Sequence, residues 1–293
     1  KVKISLLIVL LLYLQLNLSF KMLHQMLKTT FSIFHFVFIT ASILFTSAST
    51  AQNNRSKENN SIGWYTYNGT LKIDEKFGIH TEYQWRRENT ITEWQQSLLR
   101  LGVNYQLNSK IQLRLGYGWI ETFPYGTTSI NSFGKDFTEH RLFQVATISD
   151  KISLVELSHR FMLEQRWIGK YSNENLTEED GYLFANRLRY MFRIQIPLKG
   201  KSIIDKTPYL AAYDEIFIGF GENVNENIFD QNRLGFILGY KINENIRLEA
   251  GYLNQILQLG REVQSKNVFQ YNNGIIFNTI LNFDLSKNKI NSL

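Results

Sequence analysis

Apolar and polar side chains alternate with period two along almost the whole chain after residue 60. From Phe77 the odd positions read Phe77, Ile79, Thr81, Tyr83 and Trp85, against Gly78, His80, Glu82, Gln84 and Arg86. From Leu99 they read Leu99, Leu101, Val103, Tyr105 and Leu107, against Arg100, Gly102, Asn104 and Gln106. From Ile111 they read Ile111, Leu113, Leu115, Tyr117 and Trp119, against Gln112, Arg114, Gly116 and Gly118. Successive side chains of a strand point to opposite faces, so this pattern means strands with one apolar and one polar or glycine face. It recurs at 155–167, 188–196, 234–242, 246–252 and 275–283. Regions 138–148 and 208–219 also read as strands, but their parity is ambiguous.

A soluble sandwich alternates too, so the polar face has to decide. One face of 155–167 carries Glu156, Ser158, Arg160, Met162, Glu164 and Arg166, and one face of the next strand carries Arg187, Arg189, Arg193 and Gln195. These strands run roughly 12 to 17 residues, against a usual mode of about five or six. A strand needs about 9–11 residues to cross a bilayer. Long strands with a continuous apolar face and a charged second face describe an antiparallel up-and-down transmembrane β-barrel with a polar lumen. A closed barrel is the sheet that satisfies every backbone group in lipid. A lipocalin-like soluble barrel would need the two faces exchanged.

Turn lengths point the same way. Short connections at 73–76, 108–109, 149–151 and 243–245 alternate with longer ones at 124–137, 170–180, 220–229 and 259–266, the asymmetry of periplasmic turns and outer loops. Segment 199–207 is long where a short turn is expected. Trp85, Trp119 and Trp167 fall on the apolar face at the loop ends, with Tyr105 and Tyr240 near the short turns, as in two interfacial girdles. Trp94 has the wrong parity for either. Eleven strands can be read, at 62–71, 77–88, 92–106, 110–123, 138–148, 153–169, 181–197, 208–219, 230–242, 246–258 and 267–283. Single-chain bacterial barrels carry even numbers, so the expectation is ten or twelve, with twelve favoured.

The N-terminal region reads as an address. Lys28, the apolar run Phe31–Phe45 and the small residues Ser49 and Ala51 make a cleavable secretory signal peptide, with cleavage expected between Ala51 and Gln52. Met22 or Met26 is the natural start, and residues 1–21 read as upstream sequence in preference to a membrane helix. The division is then 1–51 upstream segment and signal peptide, 52–60 flexible, 61–283 barrel and 284–293 tail. Beyond Gln52 no stretch approaches the roughly 20 apolar residues of a spanning helix. The expected location is the outer membrane of a Gram-negative bacterium. The expected partners are outer-membrane lipid and, during biogenesis, the barrel assembly machinery. Of the 32 Lys and Arg, four lie in residues 1–51, which hold no acid, so the remainder carries 28 against 26. That near-neutral body makes no electrostatic case for nucleic acid.

A set of phrases then resembles a known family. They include Leu98-Leu99-Arg100-Leu101-Gly102, Pro124-Tyr125-Gly126, Glu139-His140-Arg141, Leu163-Glu164-Gln165-Arg166-Trp167, Asn186-Arg187-Leu188-Arg189-Tyr190, Ala212-Tyr213-Asp214-Glu215 and Phe229-Asp230-Gln231-Asn232-Arg233. In this order, over about residues 60–283, they resemble DUF2490, an uncharacterised bacterial family common in Bacteroidota. The resemblance implies an outer-membrane β-barrel and brings no activity with it.

Chemistry has few candidates. The absence of cysteine excludes thiol nucleophiles and cysteine metal sites, and neither GxSxG, HExxH nor a phosphate loop occurs. Ser158 and His159 are adjacent and so face opposite ways in a strand. His80 shares the lumen face with Glu82. No catalytic residue, metal or cofactor is expected. The richer signal is the inward charge of Arg100, Arg114, Arg160, Glu164, Arg166, Arg187, Arg189, Arg193, Arg233, Arg247 and Glu249, with Glu139, His140, Asp214, Glu215 and Asp230 as possible partners. Such a set is either a structural network filling a small barrel or an arginine-rich constriction that attracts anions. The expected role is a non-catalytic narrow or plugged pore, or a binding barrel. The alternative is an outer-membrane enzyme acting on lipid or envelope substrates at the loop side.

Overall fold

The computed structural model describes residues 54–224 and 227–286. The expected signal peptide, its expected cleavage site and residues 287–293 of the tail lie outside the described residues. Eleven strands follow in order: β1 (Arg55–Lys72), β2 (Phe77–Glu88), β3 (Glu93–Gln106), β4 (Ile111–Thr122), β5 (Phe137–Ile152), β6 (Val155–Lys170), β7 (Gly181–Pro197), β8 (Thr207–Phe220), β9 (Phe229–Lys241), β10 (Ile246–Val263) and β11 (Lys266–Asp284). Each pairs antiparallel with its sequence neighbours, and β1 closes on β11 to complete the barrel.

The described residues form eleven strands, where the even-number rule led to ten or twelve. The physical reason is the closure. In an up-and-down barrel with an odd number of strands the first and last run in the same direction, so they must pair parallel. They do so along 18 residues, from Arg55↔Asn267 to Lys72↔Asp284. This pairing also makes residues 55–60 part of β1, although the sequence places them in a flexible lead-in. Following hydrogen-bonded neighbours from Lys72 through Gly78, Asn104, Arg114, Val145, Met162, Arg189, Phe217, Gln231, Leu257 and Gln270 returns to Glu58. The offset along β1 is 72 − 58 = 14 residues, an even stagger that preserves the inside–outside alternation around the ring.

The alternation sorts the side chains as the sequence implies. Ile79, Leu101, Leu115, Leu188, Leu210, Phe236 and Ile275 point outward and are exposed, whereas Arg100, Glu139, Glu164, Arg187 and Glu249 are buried inside. Inner-face glycines make room for neighbouring rings. A Cβ on Gly239 would overlap the Tyr209 ring, and one on Gly235 the Tyr213 ring.

Trp94 finds its place through a bulge. The β2–β3 register passes from Arg86↔Gln96 to Arg87↔Trp94, so Gln95 is the extra residue. Its side chain turns inward to accept from Trp64 Nε1 at 2.7 Å. Trp94 is thereby returned to the outside, edge-on to Trp85 with ring centroids 6.1 Å apart.

Segment 259–266 is not a loop. β10 continues to Val263 and meets β11 through Gln264 and Ser265, whose φ angles of 51° and 59° are the left-handed pair of a two-residue hairpin turn. The β7–β8 connection is long because part of it packs inside the barrel. Its Ile203 is buried against Tyr209, Ala211 and Ile237, in an apolar cluster that also holds Ile62, Trp64, Leu253 and Ile276.

Candidate functional site: a charged interior beneath a loop-covered chamber

Glu164 is the hub of the interior. Its side chain is fully buried, and it accepts from Arg187 Nε at 2.7 Å and from Arg189 Nη1 at 3.0 Å. Arg100 and Arg141 approach it at 3.6 and 3.7 Å. The register makes this possible, because Glu164 lies directly across from Arg187 on the β6–β7 ladder. On the β5–β6 ladder Arg141 and Arg166 stand opposite each other, a like-charge pair. Glu139 offsets it by taking both guanidinium groups, Arg141 through Nε and Nη2 and Arg166 through Nε at 2.6 Å and Nη2 at 3.1 Å.

Further acids complete the set. Glu215 accepts from Arg160 at 2.7 Å and from Arg189 Nη2 at 2.8 Å. Asp230 accepts from Arg187 Nη1 at 2.6 Å, and Glu82 from Arg100 at 3.0 Å, with His80 Nε2 3.3 Å away. Glu249 binds Arg193, the Tyr209 hydroxyl at 2.7 Å and Asn278 at 3.0 Å. Arg114 donates to Asn104 Oδ1 at 2.6 Å instead of to an acid. Arg247 has the inward parity near the short-turn end and is half-buried.

Two candidate partners lie elsewhere. His140 is on the outer face, with Nδ1 2.6 Å from the Tyr117 hydroxyl and Nε2 3.4 Å from that of Tyr182. Asp214 is also outward, accepting from Asn232 at 2.8 Å. Both follow from strand parity: Glu139 and Glu215, one residue away in each case, occupy the inner face. His159 is outward too, with its Nδ1 2.9 Å from the Tyr190 hydroxyl.

Among the described residues, three charged groups of this interior, Glu82, Arg86 and Arg141, are absent from the sequence-based set. Glu82 and Arg86 have inward parity in β2. Arg141 is hidden because its face of β5 reads Phe137, Glu139, Arg141, Phe143 and Val145, a mixture that masks the alternation.

Above this network, toward the longer loops, lies a cavity of about 200 Å³. Trp64 stands at its base between two arginines: the Arg86 guanidinium lies 3.9 Å from the indole ring centroid and that of Arg233 lies 4.7 Å from it. The β4–β5 loop covers one side. Tyr125 is buried and accepts from Asn272 at 3.3 Å, Gly126 N donates to Glu88 at 2.9 Å, and the carbonyls of Thr128 and Ser129 receive Gln270 and Arg261 at 2.7 and 2.9 Å. Burial pushes the Tyr125 phenol up to about 12, so it stays protonated at neutral pH. Ile130 of the same loop, Val224 of the β8–β9 loop, and Leu257 and Leu259 near the end of β10 add apolar wall.

Among known proteins, the model of a family described as "Protein of unknown function (DUF2490)" matches residues 62–266. That span runs from within β1 to the first residue of β11. Neither a curated protein nor a solved structure matches.

Proposed function

Since the chain belongs to the DUF2490 family, whose function is unknown, we propose that it is a non-catalytic outer-membrane barrel with a sealed lumen. The observation that carries this reading is the inverted distribution of side chains. Leu101, Val103, Leu115, Leu210, Phe236 and Leu238 are each about half exposed or more on the outer surface, while the interior holds the ion-pair network. An apolar band of this size on every side suits hydrocarbon and not water. Trp85, Trp94, Trp119 and Trp167 toward the loops, and Tyr105 and Tyr240 toward the turns, stand where the two interfaces of a bilayer would lie.

The interior favours a seal over a pore. Arg100, Arg166, Arg187 and Arg189 are each tied to an acid on another strand, and Ile203 packs into the apolar cluster that reaches Trp64. An ion would have to break charge-assisted bonds to pass. The test is planar-bilayer conductance of the full chain, folding being confirmed by heat-modifiable gel mobility. Folded protein that inserts without conducting supports a sealed barrel. Steady anion-selective steps, diminished by Arg187→Ala, would replace it with an arginine-lined pore.

A further inference from the structure

We infer that the chamber beneath the β4–β5 loop is a binding site for a small amphiphile: an oxyanion head, carboxylate or phosphate, on a short apolar body. The argument begins with an imbalance. Five arginines line the chamber (Arg86, Arg141, Arg166, Arg187 and Arg233) against two acids, Glu139 and Asp230. Arg141, Arg166 and Arg187 are held by those acids. Arg86 and Arg233 are not.

Arg86 donates to the amide oxygens of Gln84 and Gln96, and Arg233 donates through Nε to Gln231 at 2.9 Å. Among the described residues neither forms an ion pair, although they are only 5% and 8% exposed. Arg233 lies directly across the ladder from Glu215, yet that carboxylate is taken by Arg160 and Arg189. The Arg233 guanidinium turns instead over the rings of Phe217 and Trp64, at 4.5 and 4.7 Å. Buried charges are ordinarily paired, because desolvation without a counter-charge is costly. Two guanidinium groups without a salt bridge of their own, held against one indole at the edge of the cavity, form a preset cradle for an anion.

The rest of the lining specifies the remainder of the ligand. Ile130, Val224, Leu257 and Leu259 come from the loops and the far end of β10, whereas the arginines sit further down their strands. A bound molecule would therefore place its charge on the Arg86–Trp64–Arg233 floor and its apolar part toward the loops. At about 200 Å³ the space is below the ~300–1,000 Å³ range of drug-sized ligand pockets, which limits the body to a short chain or a single ring.

This inference rests on the sealed-interior reading, since an open channel would wash the cradle with bulk anions. The experiment is isothermal titration of the full chain in phosphatidylcholine nanodiscs, with empty discs subtracted. The ligands are octanoate, octyl phosphate and octanol. Saturable binding of octanoate or octyl phosphate, with none for octanol, is the expected result, and the tighter of the two names the head. Arg86→Gln and Arg233→Gln should each weaken it by about tenfold or more, the worth of one charge-assisted hydrogen bond. Equal binding of octanol, or no saturable binding of either anion by folded protein, would overturn the inference. The head-group comparison uses the unaltered protein and so survives any variant that fails to fold. Conductance is read separately, so a conducting protein that still binds octanoate would sink the sealed barrel and not the site.

Discussion

Replacing Glu164 by glutamine removes one charge and almost no volume, which isolates the electrostatic role of the hub. In the folded barrel Glu164 accepts from Arg187 and Arg189, with Arg100 and Arg141 within 4 Å, and its side chain has no solvent exposure. Hydrogen bonds to a charged group are worth about 1.5–3 kcal/mol each. The Arg187 and Arg189 hydrogen bonds would then sum to roughly 3–6 kcal/mol if they were independent. They are not, because the introduced amide keeps one acceptor oxygen, while Arg187 retains Asp230 and Arg189 retains Glu215. The comparison that applies is removal of one partner from a buried ion pair, roughly 3–5 kcal/mol.

Reversible urea unfolding in lipid vesicles, followed by tryptophan fluorescence and gel mobility, measures this directly. The exposed Lys110–Asp150 pair serves as control, since both side chains are more than half exposed and the loss should stay under ~1 kcal/mol. A Glu164→Gln barrel within ~1 kcal/mol of the parent would refute the hub argument, because the arginines would then be stabilised by something other than that carboxylate.

Other expectations follow from the same geometry. Leu115→Arg places a charge on the outer face of β4, and in a bilayer it should cost about 2–4 kcal/mol near mid-depth. A near-zero effect would mean that this face meets water. Gly239→Leu would drive a side chain into the Tyr209 ring, with about 1–3 kcal/mol lost to overpacking. Slower folding, or failure to become heat-modifiable, would show it. Tyr125→Phe removes the acceptor for Asn272 beneath the β4–β5 loop at a cost of about 0.5–1.5 kcal/mol, and faster proteolysis within 123–136 is the readout.

How much of this is legible in the sequence depends on the range of the interaction. Whether Arg187 and Leu188 face in or out is settled by a two-residue repeat, so the inward charges and the outward apolar band can be read from single strands. Where the repeat is mixed, as in 137–145, Arg141 escapes notice. Where it is interrupted, as at Gln95, Trp94 has no assignable face, because a bulge shows itself only against the partner strand. The strand number depends on the same kind of distant pairing. The eleven segments are visible, but no local pattern says that Arg55 will pair in parallel with Asn267, more than two hundred residues away.

The sequence alone therefore determined the class, a barrel of long strands with a charged interior, since alternation and strand length are properties of a few consecutive residues. Only the tertiary structure decided the odd closure, which arginine each acid holds, and which two guanidinium groups are left to flank Trp64. Those outcomes depend on register across the ring and on competition among neighbouring charges for six interior carboxylates, Glu82, Glu139, Glu164, Glu215, Asp230 and Glu249. No segment of the chain contains that competition by itself.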